Sequence, residues 1–246
     1  VKTPRSKKFF RVLTTVHARS ATEAWTAGYE RKRNDPTFAN RPLTMEWGAP
    51  SGSSQAWRKV KFPPPGPNTF ITGIFQLSDN DVVAVGNTVG VGGKTHAFNE
   101  NYNHSAWLPL ATAPTPGDSD RFASVYYGTA AGSYSGADGR LHPLIEQQTP
   151  TAGTVAHAWV LQDVPDAPSG DGWLNDIFGL GSQSWAVGGQ SVPDSTTFVP
   201  GRRTLIEHFA CMSPSPPPST TTSPSATPTP TPSGTPAPTD SAIPIP

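Results

Sequence analysis

The feature that most constrains this chain is an internal repeat of about 50 residues. A strand-like run that ends in glycine occupies residues 22–28, 80–86 and 182–188. The last two glycines are 102 positions apart, which is twice 51, and a degenerate copy lies between them at residues 132–136. Repetition at this period is typical of folds built from stacked supersecondary units.

A second anchor of the repeat is the dipeptide alanine-tryptophan. It recurs at Trp57, Trp107 and Trp159, at spacings of 50 and 52 residues, and is missing from the fourth copy. Because these residues stay in register with the repeat, we interpret them as structural. The predicted structural anchors are Trp25, Gly28, Trp57, Gly86, Trp107, Trp159, Trp185 and Gly188.

Each repeat contains short runs rich in valine, isoleucine, threonine, phenylalanine and tryptophan, bounded by glycine, proline, asparagine, aspartate or serine. None shows helical periodicity. A period near 50 with about four short strands is the size of one propeller blade. The sequence therefore predicts an all-β fold, a β-propeller of about four blades, each a four-stranded antiparallel sheet. The predicted blades are residues 12–68, 69–120, 121–172 and 173–212.

Three motifs resemble the repeat of bacterial extracellular β-propellers: DVVAVG at residues 81–86, WAVG at 185–188 and RTLIEHF at 203–209. Blades of that group carry Asp-Val-Trp-Ala-Val-Gly and Thr-Leu-Ile-Glu-His-Trp strands. Kelch repeats are a more distant resemblance, through the double glycine at Gly188. The resemblance implies a propeller fold and a secreted or cell-surface location, but no single activity. Four copies would form a small closed ring, part of a longer array, or a half-ring completed by another subunit.

Both ends of the chain lie outside the predicted blades. The run 8–11, within the N-terminal segment 1–11, is a candidate for a strand that closes the ring beside the last blade. Residues 213–246 contain 12 prolines, one charged residue and no aromatic residue. Such a segment cannot bury enough apolar surface to offset the entropy of ordering, so we expect a disordered linker, or stalk.

Charge is distributed unevenly along the chain. Residues 1–61 hold 13 Lys/Arg against 4 acids, whereas the remainder holds 5 against 14. This predicts either complementary contacts between the first repeat and its neighbours or a basic patch for an anionic partner. Loops of the first and fourth blades supply the candidate binding residues. They are Tyr29, Arg31, Lys32, Arg33, Asp35, Phe38, Arg202 and Arg203.

The sequence offers no catalytic constellation, metal-ligand spacing or cofactor motif, and one cysteine, Cys211, excludes an internal disulfide. We expect a non-catalytic binding or display module on a flexible stalk, for a protein or an anionic glycan or cell-wall polymer. We expect no nucleic-acid partner and no membrane-spanning segment. One alternative is a propeller glycosidase or lyase using acids out of step with the repeat, Asp35 and Asp171. Another is an assembly subunit, for instance a homo-oligomer, that docks through an open blade edge.

Overall fold

The computed structural model describes residues 6–48, 55–79, 81–150, 157–166, 170–180, 183–192 and 201–210. They form fifteen strands and one 3-10 turn, Val91–Gly93. The strands are β1 (Phe9–Ala18), β2 (Ala24–Lys32), β3 (Asn40–Gly48), β4 (Ala56–Val60), β5 (Thr69–Ser78), β6 (Asp81–Val89), β7 (Thr95–Tyr102), β8 (Trp107–Leu110), β9 (Ser119–Tyr126), β10 (Thr129–Ser135), β11 (Leu141–Pro150), β12 (His157–Leu161), β13 (Gly172–Leu180), β14 (Gln183–Val192) and β15 (Gly201–Ala210).

The strands form four antiparallel sheets, and within each sheet neighbours in sequence are neighbours in space. Sheet 1 is β1–β4, sheet 2 is β5–β8, sheet 3 is β9–β12, and sheet 4 is β13–β15. Short connections and β-branched runs favour such meanders, because consecutive antiparallel strands pair through tight turns. The predicted all-β fold is therefore confirmed, as four antiparallel sheets of three or four described strands.

The repeat glycines lie where the second strand of each sheet passes a bulge in the first strand. Each bulge leaves one extra residue on the first strand; in sheet 2 it lies between Ile71 and Gly73. A Cβ on Gly86 would lie 2.0 Å from the Phe70 carbonyl oxygen, so no larger residue fits there. The equivalent glycine of the degenerate third copy is Gly132, whose Cβ would lie 1.9 Å from the carbonyl oxygen of Arg121.

Successive sheets pack face to face through alternating side chains. We call the face of a sheet that is turned toward the next sheet in sequence its next-sheet face, and the opposite face its preceding-sheet face. The equivalent faces of sheets 1 and 4 keep these names although no described sheet covers them. Between sheets 1 and 2, Trp25 on the next-sheet face packs with Ile74 and Trp107. The other two cores are the sheet 2–3 core, with Val83, Phe122 and Trp159, and the sheet 3–4 core, with Ala131, Ile145, Leu174, Ile177 and Ala186.

The tryptophan anchors form two groups, one covered by a neighbouring described sheet and one not. Trp25, Trp107 and Trp159 are buried within the cores between sheets. Trp57 lies on the preceding-sheet face of sheet 1 against Trp47 and is partly exposed. Trp185 lies on the next-sheet face of sheet 4 and is partly exposed beside His208. Both partly exposed rings therefore lie on the outer faces of the stack.

One expectation about the chain ends is corrected. Phe9, Phe10 and Arg11 belong to β1 and pair with residues 30–32 of β2, so the run 8–11 is not a strand of sheet 4. Their pairing with β2 continues directly into that of Val12 and Leu13, ahead of the bulge at Thr14, so they belong to the first sheet. The chain divides into two units, residues 1–212 and 213–246, and the predicted linker lies outside the described residues.

Candidate functional site

The predicted basic loop is the hairpin turn between β2 and β3. The Arg31 guanidinium lies over two rings, with its Cζ 5.2 Å from the centroid of Phe38 and 5.9 Å from that of Phe10. Lys32 and Arg33 are exposed beside it. Phe38 has a left-handed φ of 52° and is 63% exposed, so its ring is displayed at the turn. The structure thus brings Arg31 and Phe38 together, and it adds Phe10.

Two other predicted loop residues have structural contacts. The Asp35 carboxylate accepts hydrogen bonds from the Thr37 hydroxyl at 2.6 Å and the Thr37 N–H at 3.0 Å. These bonds, with weaker attraction from nearby cations, lower the pKa of Asp35. The Tyr29 ring packs edge-on against Phe70 of sheet 2, with centroids 5.1 Å apart. Asp35 therefore shapes the turn, and Tyr29 belongs to the contact between sheets 1 and 2.

The two predicted residues of the fourth repeat lie in another sheet. Arg203 is exposed near the start of β15 and pairs with Gln190 of β14. The side chain of Arg202 and the loop 193–200 lie outside the described residues. No described contact joins Arg203 to the hairpin of sheet 1.

A cavity of about 660 Å³ lies beside this hairpin, on sheet 1 and the connector 61–68 that leads to sheet 2. We call it the cationic cavity, because Arg41, Lys59 and Lys61 line it. Its apolar lining includes Phe62 and Pro64. The described lining residues are Glu30, Ala39, Asn40, Arg41, Pro42, Lys59, Lys61, Phe62, Pro64, Gly66, Pro67 and Asn68.

The acid among these lining residues, Glu30, is already paired. It is 4% exposed, and its Oε2 accepts from Arg11 Nε at 3.1 Å while its Oε1 pairs with Lys59. Two cations therefore surround one carboxylate, and Arg41 and Lys61 add further positive charge. Because Glu30 is buried and neutralised, the cavity wall presents a net positive field to solvent.

Backbone geometry fixes the far wall of the cationic cavity. Asn68, in a left-handed conformation with φ 48°, accepts a hydrogen bond from the Asn40 N–H at 3.1 Å. The Thr69 hydroxyl donates to the Gly66 carbonyl at 2.7 Å. Sequence reasoning missed Lys59 and Lys61, since they come from β4 and a connector rather than from the hairpin. The cluster of three cations within residues 58–61 was the available signal.

A second cavity, of about 470 Å³, is lined by the first strands of all four sheets, and we call it the axial cavity. β1 contacts β5, β5 contacts β9, and β9 contacts β13. In its wall the Ser124 hydroxyl donates to Asp176 Oδ1 at 2.6 Å. His17 Nδ1 accepts from the Gln76 N–H at 3.1 Å, and burial lowers the pKa of His17.

Glutamates recur at one position of the third strands, where two of the three are fully buried. Each of these glutamates lies opposite an alanine of the second strand, and that alanine comes two residues before the repeat glycine. The glutamates are Glu100, Glu146 and Glu207. Burial raises the pKa of Glu100 to about 8 and that of Glu146 to about 7, and it also raises the pKa of Glu207. Because they share this register position, a structural role is favoured for these glutamates over a catalytic one.

The carboxylates of Asp138, Asp166 and Asp171 are each engaged in a local hydrogen bond. His142 lies between Asp138 and Asp166, with nitrogen-to-oxygen distances of 3.0 and 2.7 Å, and these bonds raise the pKa of His142. Asp171, one of the two acids proposed for a glycosidase, accepts from the Leu141 N–H at 2.9 Å at the start of sheet 4. Across the described ranges, no group of three acid, histidine or cysteine side chains is arranged to hold a metal.

Comparison of the chain with protein-family models, curated proteins and solved structures gave no match. Within the part of the chain that the structure describes, no helix has the length and apolar character needed to cross a bilayer. Inference about function therefore rests on the geometry of the two cavities and the sheet edges.

Proposed function

We propose that this protein is a non-catalytic binding module that recognises an anionic polymer, such as an acidic glycan, at the cationic cavity of sheet 1. The observation that carries the proposal is the lining itself: three cations, one buried and neutralised acid, and an apolar floor in a cavity of about 660 Å³. That volume lies in the range of ligand-binding clefts.

The charge of the cavity favours anionic ligands over neutral ones. Arg41 and Lys61 are exposed, and Lys59 is engaged on one side by Glu30. Each exposed contact with a carboxylate or sulfate is worth at most about 1 kcal/mol, so affinity would arise from several contacts repeated along a polymer. Such binding weakens with salt, since charges are screened over about 8 Å at physiological ionic strength.

The apolar floor favours a ligand with flat, weakly polar surfaces. Phe62 lines the cavity and is otherwise buried, and Pro64 and Pro67 form exposed rigid rings on the connector. Proline rings lose little entropy when a ligand covers them, because they have no free rotamers. Sugar rings that carry acidic groups have both properties this lining selects, an anionic edge and an apolar face.

We further propose that the four sheets are blades of a β-propeller and that the protein is secreted or displayed at a cell surface. The face-to-face stacking of four meanders around the axial cavity supports the propeller, and the composition of residues 213–246 supports a stalk. On such a scaffold, loops and connectors at one end of the sheets are where recognition residues concentrate.

The test measures binding of the full chain to heparin and polyglucuronate, with dextran as the neutral polymer. Substituting Arg41 and Lys61 together by alanine should reduce affinity for the anionic polymers by about tenfold, a loss of about 1.4 kcal/mol. The matched control replaces two exposed lysines outside the cavity, Lys7→Ala and Lys8→Ala, and should change affinity less than twofold.

A third variant separates the cavity from the hairpin predicted from sequence. Lys32→Ala with Arg33→Ala removes exposed loop charge without changing the residues that line the cavity. We expect a smaller loss than for Arg41 and Lys61. Equal binding by the cavity variant and wild type, or binding that is insensitive to salt, would contradict the proposal.

A further inference from the structure

In sheet 4 no described strand pairs with the outer edge of the last strand, whereas in the other three sheets a fourth strand covers the equivalent edge. In sheets 1, 2 and 3 a short fourth strand pairs with the third strand, whereas sheet 4 ends at β15 among the described residues. β15 spans ten residues, Gly201–Ala210. An uncovered edge of this length offers unpaired N–H and C=O groups to another strand.

Burial at equivalent positions shows what the missing strand would cover. Leu144 and Glu146 of β11 are 0% exposed. Their equivalents on β15, Leu205 and Glu207, are only half-buried. The residues share register, because Leu144 is opposite Gly132 and Leu205 is opposite Gly188. The difference between the two sheets is the strand beyond, which exists as β12 in sheet 3.

In sheets 2 and 3 the fourth strand also brings a tryptophan to the core between sheets. Trp107 lies in the sheet 1–2 core and Trp159 in the sheet 2–3 core, each about 4% exposed. The described sheet 3–4 core has no tryptophan. All seven tryptophans of the sequence lie in described strands, so none of residues 1–246 is left to supply one. They are Trp25, Trp47, Trp57, Trp107, Trp159, Trp173 and Trp185.

We propose that the β15 edge binds an extended segment of a partner protein with an alanine-tryptophan-aliphatic sequence. The segment pairs antiparallel with β15, as β12 pairs with β11. Trp159 is opposite Gln148, four residues after Leu144, so the partner's tryptophan lies opposite Phe209. Backbone pairing supplies affinity, and the tryptophan, inserted between sheets 3 and 4, supplies specificity.

The hydrogen-bonding position follows from sheet 3. There the Ile145 carbonyl accepts from the Gln162 N–H at 2.9 Å, so the backbone groups of Ile145 face the fourth strand. The equivalent residue of β15 is Ile206, opposite Val187. Ile206 is 63% exposed, so a substitution there changes little of the described core.

The experiment titrates the full chain with a capped peptide copying residues 155–162, which contains the β12 sequence. We expect saturable binding, with slowed hydrogen exchange at the β15 amides that face away from β14. A control peptide carrying alanine in place of tryptophan should bind more than about tenfold more weakly, because a buried tryptophan commonly dominates such contacts.

Two protein variants locate the contact. Ile206→Pro removes the outward N–H and should abolish binding, whereas Ile206→Val keeps it and should bind as wild type does. If Ile206→Pro does not fold, the proposal is still tested by hydrogen exchange at the β15 amides of the wild-type protein with and without the peptide. The proposal is wrong if both peptides bind equally, if protection falls outside β15, or if the outward β15 amides already exchange slowly in the free chain. Substitutions at Arg41 and Lys61 should leave peptide binding unchanged, which separates it from polymer recognition.

Discussion

Replacing Glu146 with glutamine is predicted to stabilise the protein at neutral pH and to remove part of its pH dependence. Glu146 is fully buried; its Oε2 accepts from the Ala113 N–H at 3.0 Å, and its Oε1 has no hydrogen-bond partner among the described residues. Burial raises its pKa to about 7, against the smaller opposing effect of the Ala113 bond. The folded state therefore keeps this proton over a range in which the unfolded chain releases it.

The magnitude follows from the difference in proton binding. Between the ordinary pKa of 4.5 and the raised value, the folded state holds one more proton than the unfolded state. The free energy of unfolding then falls by about 1.4 kcal/mol per pH unit as pH rises. By pH 7 the loss from Glu146 reaches up to about 3 kcal/mol. Glu100, with its pKa raised to about 8, adds a loss of the same sign that continues beyond pH 7.

The assay is urea unfolding followed by tryptophan fluorescence between about pH 4.5 and pH 8. The stability of Glu146→Gln relative to wild type should rise by up to about 3 kcal/mol across this range, since glutamine does not titrate. Asp118→Asn is the matched control. The pKa of Asp118 is lowered by its bond from Lys94, so its contribution is lost only at acidic pH and its difference from wild type stays constant above about pH 5. If the free energies of unfolding of Glu146→Gln and wild type differed by the same amount at every pH, the reasoning would be refuted.

Two further predictions concern residues of sheets 2 and 3 that lie outside the proposed binding surfaces. Hydrogen bonds to two carboxylates, that to Asp138 above all, raise the pKa of His142. Nuclear magnetic resonance titration should find this pKa above 6.5 and lower in Asp138→Asn, and the associated stability should be complete below pH 6.5 and lost as pH rises through the raised value. Gly86→Ala, whose Cβ would lie 2.0 Å from the Phe70 oxygen, should lose at least about 2 kcal/mol in urea unfolding, whereas Gly90→Ala, with 3.7 Å of room, should lose less than about 1 kcal/mol.

The periodic features of the sequence predicted the sheet framework well. The glycine runs and the alanine-tryptophan dipeptides are periodic because each repeat places a close backbone approach and a core residue at the same register position. The all-β class follows from these anchors, and the fourth copy, which lacks the alanine-tryptophan dipeptide, is the one in which no described residues form a fourth strand. The bulges could not be predicted from the sequence, because the extra residue is not the same type in every sheet. It is Thr14 in sheet 1, Thr72 in sheet 2, Ala123 in sheet 3 and Asn175 in sheet 4.

The candidate site was only partly predictable, because its residues come from segments distant in sequence. Charge density along the chain pointed to the hairpin at Arg31, but Arg31 lies over two aromatic rings. The cationic cavity instead joins the start of β3, the end of β4 and the connector, and only pairing brings Arg41 near Lys59 and Lys61. The assignment of residues 8–11 failed for a related reason, since alternation identifies a strand but not its partner.

The bulges also indicate how the protein would come apart under mechanical load. The Thr14 hydroxyl donates to the Ile71 carbonyl at 2.6 Å, and the Thr72 hydroxyl donates to the Phe122 carbonyl at 2.8 Å, so each ties one sheet to the next. At the equivalent position sheet 3 has Ala123, which has no hydroxyl. The boundary between sheets 3 and 4 therefore lacks this bond to a carbonyl, although the Ser124 hydroxyl donates to Asp176 of sheet 4, and it has the smallest described core. A pull on the tail 213–246 would therefore detach sheet 4 first, while the cationic cavity of sheet 1 stays folded.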